Sequence, residues 1–340
     1  MAKVLVAMSG GVDSSVAAYL MKEKGFECIG ATMRLLDGHD KNIADAKAIC
    51  DKLSIPFYAF DMREEFKAEV IGDFVDTFEK GETPNPCVLC NKRFKFGALL
   101  KKADELGCEY IATGHYAKIV EDEQGFYLEK AENKAKDQSY FLYSLAPDVL
   151  PRVMFPLADY SKDEIRRIAE GLGFETAAKK DSQDICFVPN GDYASVIMEV
   201  TGKTYKSGNF VDLSGKILGK HKGIIHYTVG QRKGLGVAFG KPMYVHSKNA
   251  QTGEVALSDD ADLFTDTLTA RNVNWLCLPT SSTFDCKARI RYRHEEQPAT
   301  VTITADGVTV NFSTPQRAVT PGQSVVFYVG DRVLGGGIIN

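Results

Sequence analysis

Hydrophobic and polar positions first alternate in long α/β units. Residues 3–8, KVLVAM, form a short apolar run and predict a buried strand. The stretch from Ser14 to Lys24 predicts a helix closed by Gly25. A second strand is expected near 26–34. Ile43, Ala46, Cys50 and Leu53 then recur at helical spacing, and residues 56–62, PFYAFDM, predict a third strand. Further on, the pattern predicts a helix over 91–106, a strand at 109–113 and a helix from Ser161. Ser161 and Glu164 form a capping-box signature, with Ile165, Ile168 and Leu172 on one face. Strands and helices in alternation predict a parallel sheet covered on both sides.

After about residue 200 the texture changes. Glycine and β-formers dominate 203–260, and from 266 onward alternating segments such as CKARIRY, ATVTIT and SVVFYVG predict a small barrel or sandwich. The expected organisation is an α/β domain over 1–198, a small central domain over 199–265 and an all-β domain over 266–340.

Composition narrows the class. At 340 residues the chain has room for two or three cores, and 44% apolar with 25% charged residues is ordinary for a globular protein. The glycines and Asp13 interrupt the N-terminus too early for a signal peptide, and no apolar run reaches membrane-spanning length. A cytoplasmic setting is expected, in which the eight cysteines act as thiols, ligands or catalytic groups rather than a disulfide framework. The net charge of −4 excludes a uniformly basic surface. It leaves local clusters such as Lys92, Arg93 and Lys95, or Arg289, Arg291 and Arg293.

The first strand runs into Ser9-Gly10-Gly11-Val12-Asp13-Ser14-Ser15 and then a helix. Glycines allow close backbone approach, the helix start aims N–H groups at an anion, and the serines add donors. Phosphate is the expected occupant. Walker spacing is absent. Asp13 suits either a phosphate-bridging Mg²⁺ or helix capping. SGGVDSS resembles the signature of the PP-loop ATP pyrophosphatases, which split ATP between its α and β phosphates and place AMP on a substrate oxygen. That resemblance assigns ATP to Ala7, Met8, Ser9, Gly10, Gly11, Val12, Asp13 and Ser14. It adds Met33 against the adenine and Gly114, in ATGHY, beside the nucleotide.

Three cysteines stand apart. Cys87 and Cys90 form a CxxC after Pro-Asn-Pro. Cys186 follows a polar loop in which Lys179 and Lys180 would favour a thiolate if they fold back near it. Cys28, Cys50, Cys108, Cys277 and Cys286 read as buried small hydrophobes. Structural zinc is disfavoured, because no second CxxC or HxxxH supplies further ligands.

SGGVDSS, TPNPCVLCNKRFKFG, ATGHYA, KDQSYFLY, FPLADYSKDEIR, DSQDICF and YTVGQRKGLG together resemble the tRNA-specific 2-thiouridylase family along nearly the whole chain. The resemblance implies an ATP-dependent enzyme that replaces the 2-oxygen of the wobble uridine with sulfur. Its implied partners are the tRNA anticodon region and a persulfide-donating relay protein or cysteine desulfurase. Carried over, Cys186 holds a persulfide and Cys90 is the nucleophile, with a transient Cys90–Cys186 disulfide. Asn85, Pro86 and Cys87 would line the target-base pocket. His115, Lys136, Asp137, Gln138, Arg291, Tyr292 and Gln323 would touch tRNA. Family members often carry aspartate where Cys87 stands, and Cys87 is not assumed to take over its acid–base work. The set Cys87, Cys90 and Cys186 also resembles thiolases that hold a [4Fe–4S] cluster on three cysteines, which gives an alternative route to the same product.

Phe94 pairs with Ala98 at helical spacing and is expected in the core rather than stacked on a base. One rival reading is a PP-loop synthetase transferring nitrogen, which would not need Cys90 or Cys186. Another is a non-catalytic RNA-binding protein, which the intact SGGVDSS loop argues against.

Overall fold

The computed structural model describes residues 1–179 and 184–340. Its centre is a parallel sheet of β1 (Lys3–Ala7), β2 (Glu27–Arg34), β3 (Phe57–Asp61), β4 (Tyr110–Thr113) and a two-residue strand, Val153–Met154, in the order β3-β2-β1-β4-(153–154). Val4, Leu5 and Val6 are fully buried, as a central strand covered on both faces requires. The chain winds outward from β1 to β3 and then returns to pair β4 with the other side of β1. Strand order reverses there, and the carboxyl ends of β1 and β4 open the crevice where such sheets take ligands.

Helix α1 (Val12–Glu23) buries Val16, Ala17, Leu20 and Met21 on one side of the sheet together with Ile49, Cys50 and Leu53 of α2 (Asp40–Leu53). Gly30 has no side chain because Cys50 fills the space: a Cβ there would meet the Cys50 sulfur at 2.3 Å. The expected capping box forms, with Ser161 and Glu164 bonded reciprocally at the start of helix Lys162–Gly171. The other face of the sheet packs on Leu99, Leu100 and Ala103.

Residues 208–258 contribute a four-stranded sheet around Phe210, Val245, Val255 and Leu257. The last six strands form a closed antiparallel barrel, sealed where Phe264–Trp275 pairs with Arg332–Ile339. Closure decides between barrel and sandwich, and removes exposed sheet edges. A hairpin of Ala117–Asp122 and Gly125–Lys130, not anticipated from the sequence, leaves the α/β domain and adds to the barrel sheet through Glu129 and Arg332. Among the described residues no helix is long and apolar enough to cross a membrane.

The barrel also grips the segment that leads into the CxxC. Thr83 N donates to Pro321 O at 2.8 Å, and Gln323 Nε2 donates to Thr83 O and Pro84 O at 3.0 and 3.1 Å. Gly322 lies between them at φ +87°, where a Cβ would sit 2.8 Å from Thr83 N. Gly322→Ala is therefore expected to lower unfolding stability by roughly 2 kcal/mol, from left-handed strain plus a backbone clash. Gly330→Ala, at φ +60° with open space around it, carries the strain without the clash and should cost less. Urea midpoints of the two variants measure the difference, and equal midpoints would refute the clash.

Candidate active site

The loop after β1 is built tightly. Gly10 has φ +71°, and a Cβ on it would lie 2.4 Å from Asn42 O. Ser14 Oγ accepts from Ser9 N and donates to Gly11 O, both at 3.1 Å, while Ser15 Oγ donates to Gly11 O at 2.9 Å. Gly11 occupies the N-cap of α1 with no side-chain cap, so Asp13 does not cap the helix. Asp13 instead accepts from Lys162 Nζ at 2.8 Å on each oxygen and from Tyr116 OH at 2.8 Å. As placed, its carboxylate holds a lysine rather than presenting a free face to Mg²⁺. Gly114 presses on the same turn: a Cβ there would stand 2.9 Å from Asp13 C and Ser14 N. Lys179 crosses over to Gly10 O at 2.7 Å and pairs with Asp45.

The two sequence-distant cysteine segments converge beside this crevice. Pro86–Cys90 begins a helix with Asn85 as N-cap and Pro86 at its first position, where a missing N–H costs nothing. The helix then passes through a π-helical turn, Asn91–Ala98. Cys90, Leu89 and Phe94 pack in one cluster with Met33, Phe66 and Phe187. The Phe187 ring stands 6.0 Å from Phe66 and 5.1 Å from Phe74, and Phe94 stands 5.3 Å from Phe66. This wedge brings Cys186 next to the CxxC and to Met33 at the end of β2. Phe94 is core, as expected, and so is Phe96.

Cys87 and Cys186 present surface to solvent, and Cys90 is half-buried. Protein atoms nevertheless crowd all three sulfurs. Crowding pushes each thiol up, Cys186 to about 12, with Cys90 and Cys87 adding to the rise at Cys186. Lys95 pulls all three down. The expectation that Lys179 favours a Cys186 thiolate is thus corrected: Lys179 is committed to Asp45 and Gly10 O, and among the described residues Lys95 is the cation that acts on the sulfurs. Lys180 lies outside the described residues. Among the described residues, no group of three His, Cys, Asp or Glu side chains is placed to hold a metal ion. The three cysteines have the right donor chemistry for a cluster but not the arrangement, and no step is routed through one.

His115 is buried at the end of β4, with Nδ1 2.7 Å from Thr113 Oγ1 and Nε2 3.1 Å from Lys95 Nζ. An ammonium only donates, so Nε2 accepts and Nδ1 carries the proton. Burial, reinforced by Lys95, holds this histidine well below its ordinary value. Gln138 exchanges bonds with the Tyr116 backbone at 2.7 and 3.0 Å, which draws the Lys136–Gln138 turn against His115. Tyr292 stacks at 4.4 Å on Phe141 close by, and Lys136 remains half-buried.

Three residues assigned to RNA contact turn inward instead. Asp137 is buried and accepts from Ala131 N, Ser139 N and Ser139 Oγ, with Arg289 at 3.6 Å. Arg291 donates to Val229 O, Ala318 O and Thr320 Oγ1, tying the barrel to the central domain. Gln323 braces Thr83 and Pro84. Asp137's oxygens, Arg291 Nη2 and Gln323 Nε2 are thus used by the fold. Sequence reasoning also missed Lys95, Lys162 and Tyr116. Lys162 sits just inside a capped helix, where helical spacing gives no hint of a buried partner.

The comparisons decide the family. A tRNA methyl transferase HUP domain model matches residues 2–190, a tRNA methyl transferase PRC-barrel domain model matches 196–259, and an aminomethyltransferase β-barrel domain model matches 265–339. A tRNA-specific 2-thiouridylase MnmA from Lachnoclostridium phytofermentans is 46% identical, over 100% of this chain and 99% of its own. The MnmA of Clostridioides difficile is 46% identical, over 99% and 98%. The chain belongs to the tRNA-specific 2-thiouridylase family. Looser likenesses among solved structures include a 4-thiouridine synthetase–RNA complex with bound ATP, with TM-score 0.39, 18% identity and 59% of this chain against 50% of that one. Another is the U34-tRNA thiolase NcsA from Methanococcus maripaludis with its [4Fe-4S] cluster, with TM-score 0.38, 19% identity and coverage of 60% and 65%.

The state of His115 has a pH signature in this thiouridylase-family chain. Its folded value lies below the unfolded value of about 6.5, so below that pH the unfolded chain takes up a proton that the folded one refuses. Stability tied to His115 is complete above 6.5 and is lost as pH falls. His115→Gln should therefore lose less stability than the parent between pH 7 and pH 5. The other depressed histidines, His221, His226 and His294, are common to both proteins and cancel. Parallel pH–stability curves would show that His115 is not held neutral.

Proposed function

We propose that this chain is an ATP-dependent sulfurtransferase that converts the wobble uridine of tRNA to 2-thiouridine through thiol-borne sulfur. The observation that carries the reading is the convergence of Cys90 and Phe187 with Met33 in one packed cluster beside the Ser9–Ser15 turn. A nitrogen-transferring synthetase has no use for two thiols at that point.

The chemistry runs in balanced steps. ATP binds across the turn from Ala7 to Ser14, whose helix-start N–H groups face the phosphates. The uridine, drawn out of the anticodon stack beside Asn85, Pro86 and Cys87, attacks the α-phosphate through its 2-oxygen and pyrophosphate departs. AMP on that oxygen turns it into a leaving group. A donor protein has meanwhile loaded Cys186 as Cys–S–SH. The outer sulfur attacks C2, Cys90 thiolate attacks the inner sulfur, and the S–S bond between them breaks. AMP leaves with the original oxygen, the new sulfur stays on the base, and a Cys90–Cys186 disulfide remains. An external dithiol must supply two electrons to reset it. Lys136 and Tyr292 are the RNA contacts this reading retains; His115, with both ring nitrogens engaged, supports the site from behind. Mg²⁺ would have to be held by the phosphates and water, since Asp13 is engaged by Lys162.

In this scheme Cys186→Ser and Cys90→Ser each abolish thiolation, a loss of at least a hundredfold, while ATP–pyrophosphate exchange driven by tRNA persists. The test is mass spectrometry of nucleosides from a strain lacking its own enzyme and complemented by each variant. Normal 2-thiouridine with Cys186→Ser would end the persulfide assignment.

A further inference from the structure

The helix that carries the CxxC does not continue as a regular α-helix. Directly after Cys90 it widens into the π-helical turn Asn91–Ala98. In an α-helix, a residue five positions on lies about 140° round the axis, facing away. In a π turn the i→i+5 bond brings it much closer to the same face. The consequence falls on Lys95, five residues after Cys90. The turn swings it to the cysteine side, while Lys92 and Arg93 stay in solvent.

Lys95 is half-buried, and its ammonium is fixed. Nζ donates to His115 Nε2 at 3.1 Å, and His115 is in turn held by Thr113 Oγ1 at 2.7 Å. A neutral histidine is a suitable holder, because it gives Lys95 an acceptor without cancelling its charge. That positive charge acts on Cys87 and Cys90, where it is the chief influence opposing burial, and also on Cys186, where the neighbouring thiols outweigh it. The turn also has a residue that keeps it wide. A Cβ at Gly97 would come within 2.9 Å of Lys92 O, five residues back, so glycine is what lets the π turn close on itself.

We infer that Lys95 is a positioning residue for the sulfur chemistry: the π turn and His115 hold one uncancelled ammonium over the three-cysteine cleft, where it stabilises whichever sulfur is anionic. The inference rests on the thiol reading above for its purpose. Its own evidence is the placement of Lys95. One fixed cation serves both thiols because the site needs their anions in succession, and a carboxylate partner in place of His115 would have neutralised it.

The test needs neither RNA nor ATP, so it fails or succeeds independently of the thiolation experiment. The reduced full-length protein is alkylated with iodoacetamide at pH 7.5, and each cysteine is followed by peptide mass spectrometry. Half-buried Cys277 in the barrel domain serves as internal reference. Lys95→Met should slow Cys90 and Cys186 about tenfold, equivalent to one pKa unit of lost thiolate, and leave Cys277 unchanged. Lys95→Arg should stay within about threefold of the parent, because it restores the charge. Gly97→Ala should slow the same two cysteines by forcing the turn to shift, and parent rates there would refute the turn as the device. Parent rates in Lys95→Met, a fall shared by Cys277, or a Lys95→Arg protein as slow as Lys95→Met would each overturn the role of Lys95.

Discussion

The insertion of Phe187 between Phe66 and Phe74 is the contact on which the site depends. Cys186 and Cys90 are ninety-six residues apart, and nothing covalent holds them together. Burying a phenylalanine contributes about 1.5–3 kcal/mol, and well-set aromatic pairs add about 0.5–1.5 kcal/mol each. That is enough to seat a segment, yet small enough for it to lift. Such strength suits the proposed relay, in which the Cys186 thiol receives sulfur from another protein and then delivers it to the base. An enzyme with Cys186 locked into a rigid core could not do both.

Electrostatics in the cleft pull in opposite directions. Crowding and neighbouring sulfurs make each thiolate costly, and Lys95 works against that cost. A resting protein with its thiols largely protonated resists random oxidation, since the thiolate is the reactive form. Among the described residues, the other ammonium groups bonded to the nucleotide turn are neutralised, Lys162 by Asp13 and Lys179 by Asp45. The two sets of charge therefore have different work. The paired lysines shape the phosphate turn, and Lys95, held by a neutral ring, keeps its charge for sulfur.

The sheet, its helices and the β-rich second half were legible because their signals are local: a buried strand, a capping box, alternation in the barrel strands. The SGGVDSS turn was legible for the same reason. What escaped was decided by tertiary partners. Asp137, Arg291 and Gln323 are polar residues in motifs, and motif position cannot distinguish a side chain that faces RNA from one that braces a loop. Asp137 is buried among its bonds, and Arg291 and Gln323 spend donors on neighbouring segments. The π turn escaped because a helix pattern with one residue extra differs from the regular pattern only in where the sixth side chain lands. Lys95 consequently looked like one of a solvated basic trio with Lys92 and Arg93.

The barrel has a second task that follows from where its loop sits. Thr320–Gln323 reaches back to Thr83 and Pro84, and Arg271 pairs with Glu82, so the C-terminal domain helps to fix the segment before Pro86 alongside its own domain, where Glu82 N donates to Thr77 O at 3.1 Å. Pro84 and Pro86 remove two N–H groups and restrict the chain between them, which leaves Asn85 little freedom once its flanks are held. The approach to Cys87 and Cys90 is thus set partly by the barrel, while Asn91 Nδ2, donating to Phe141 O at 3.0 Å, anchors their helix in the α/β domain. A domain that only gripped RNA would not need this contact. One that also braces the segment leading into the cysteine helix couples the thiols to any shift of the barrel against the sheet.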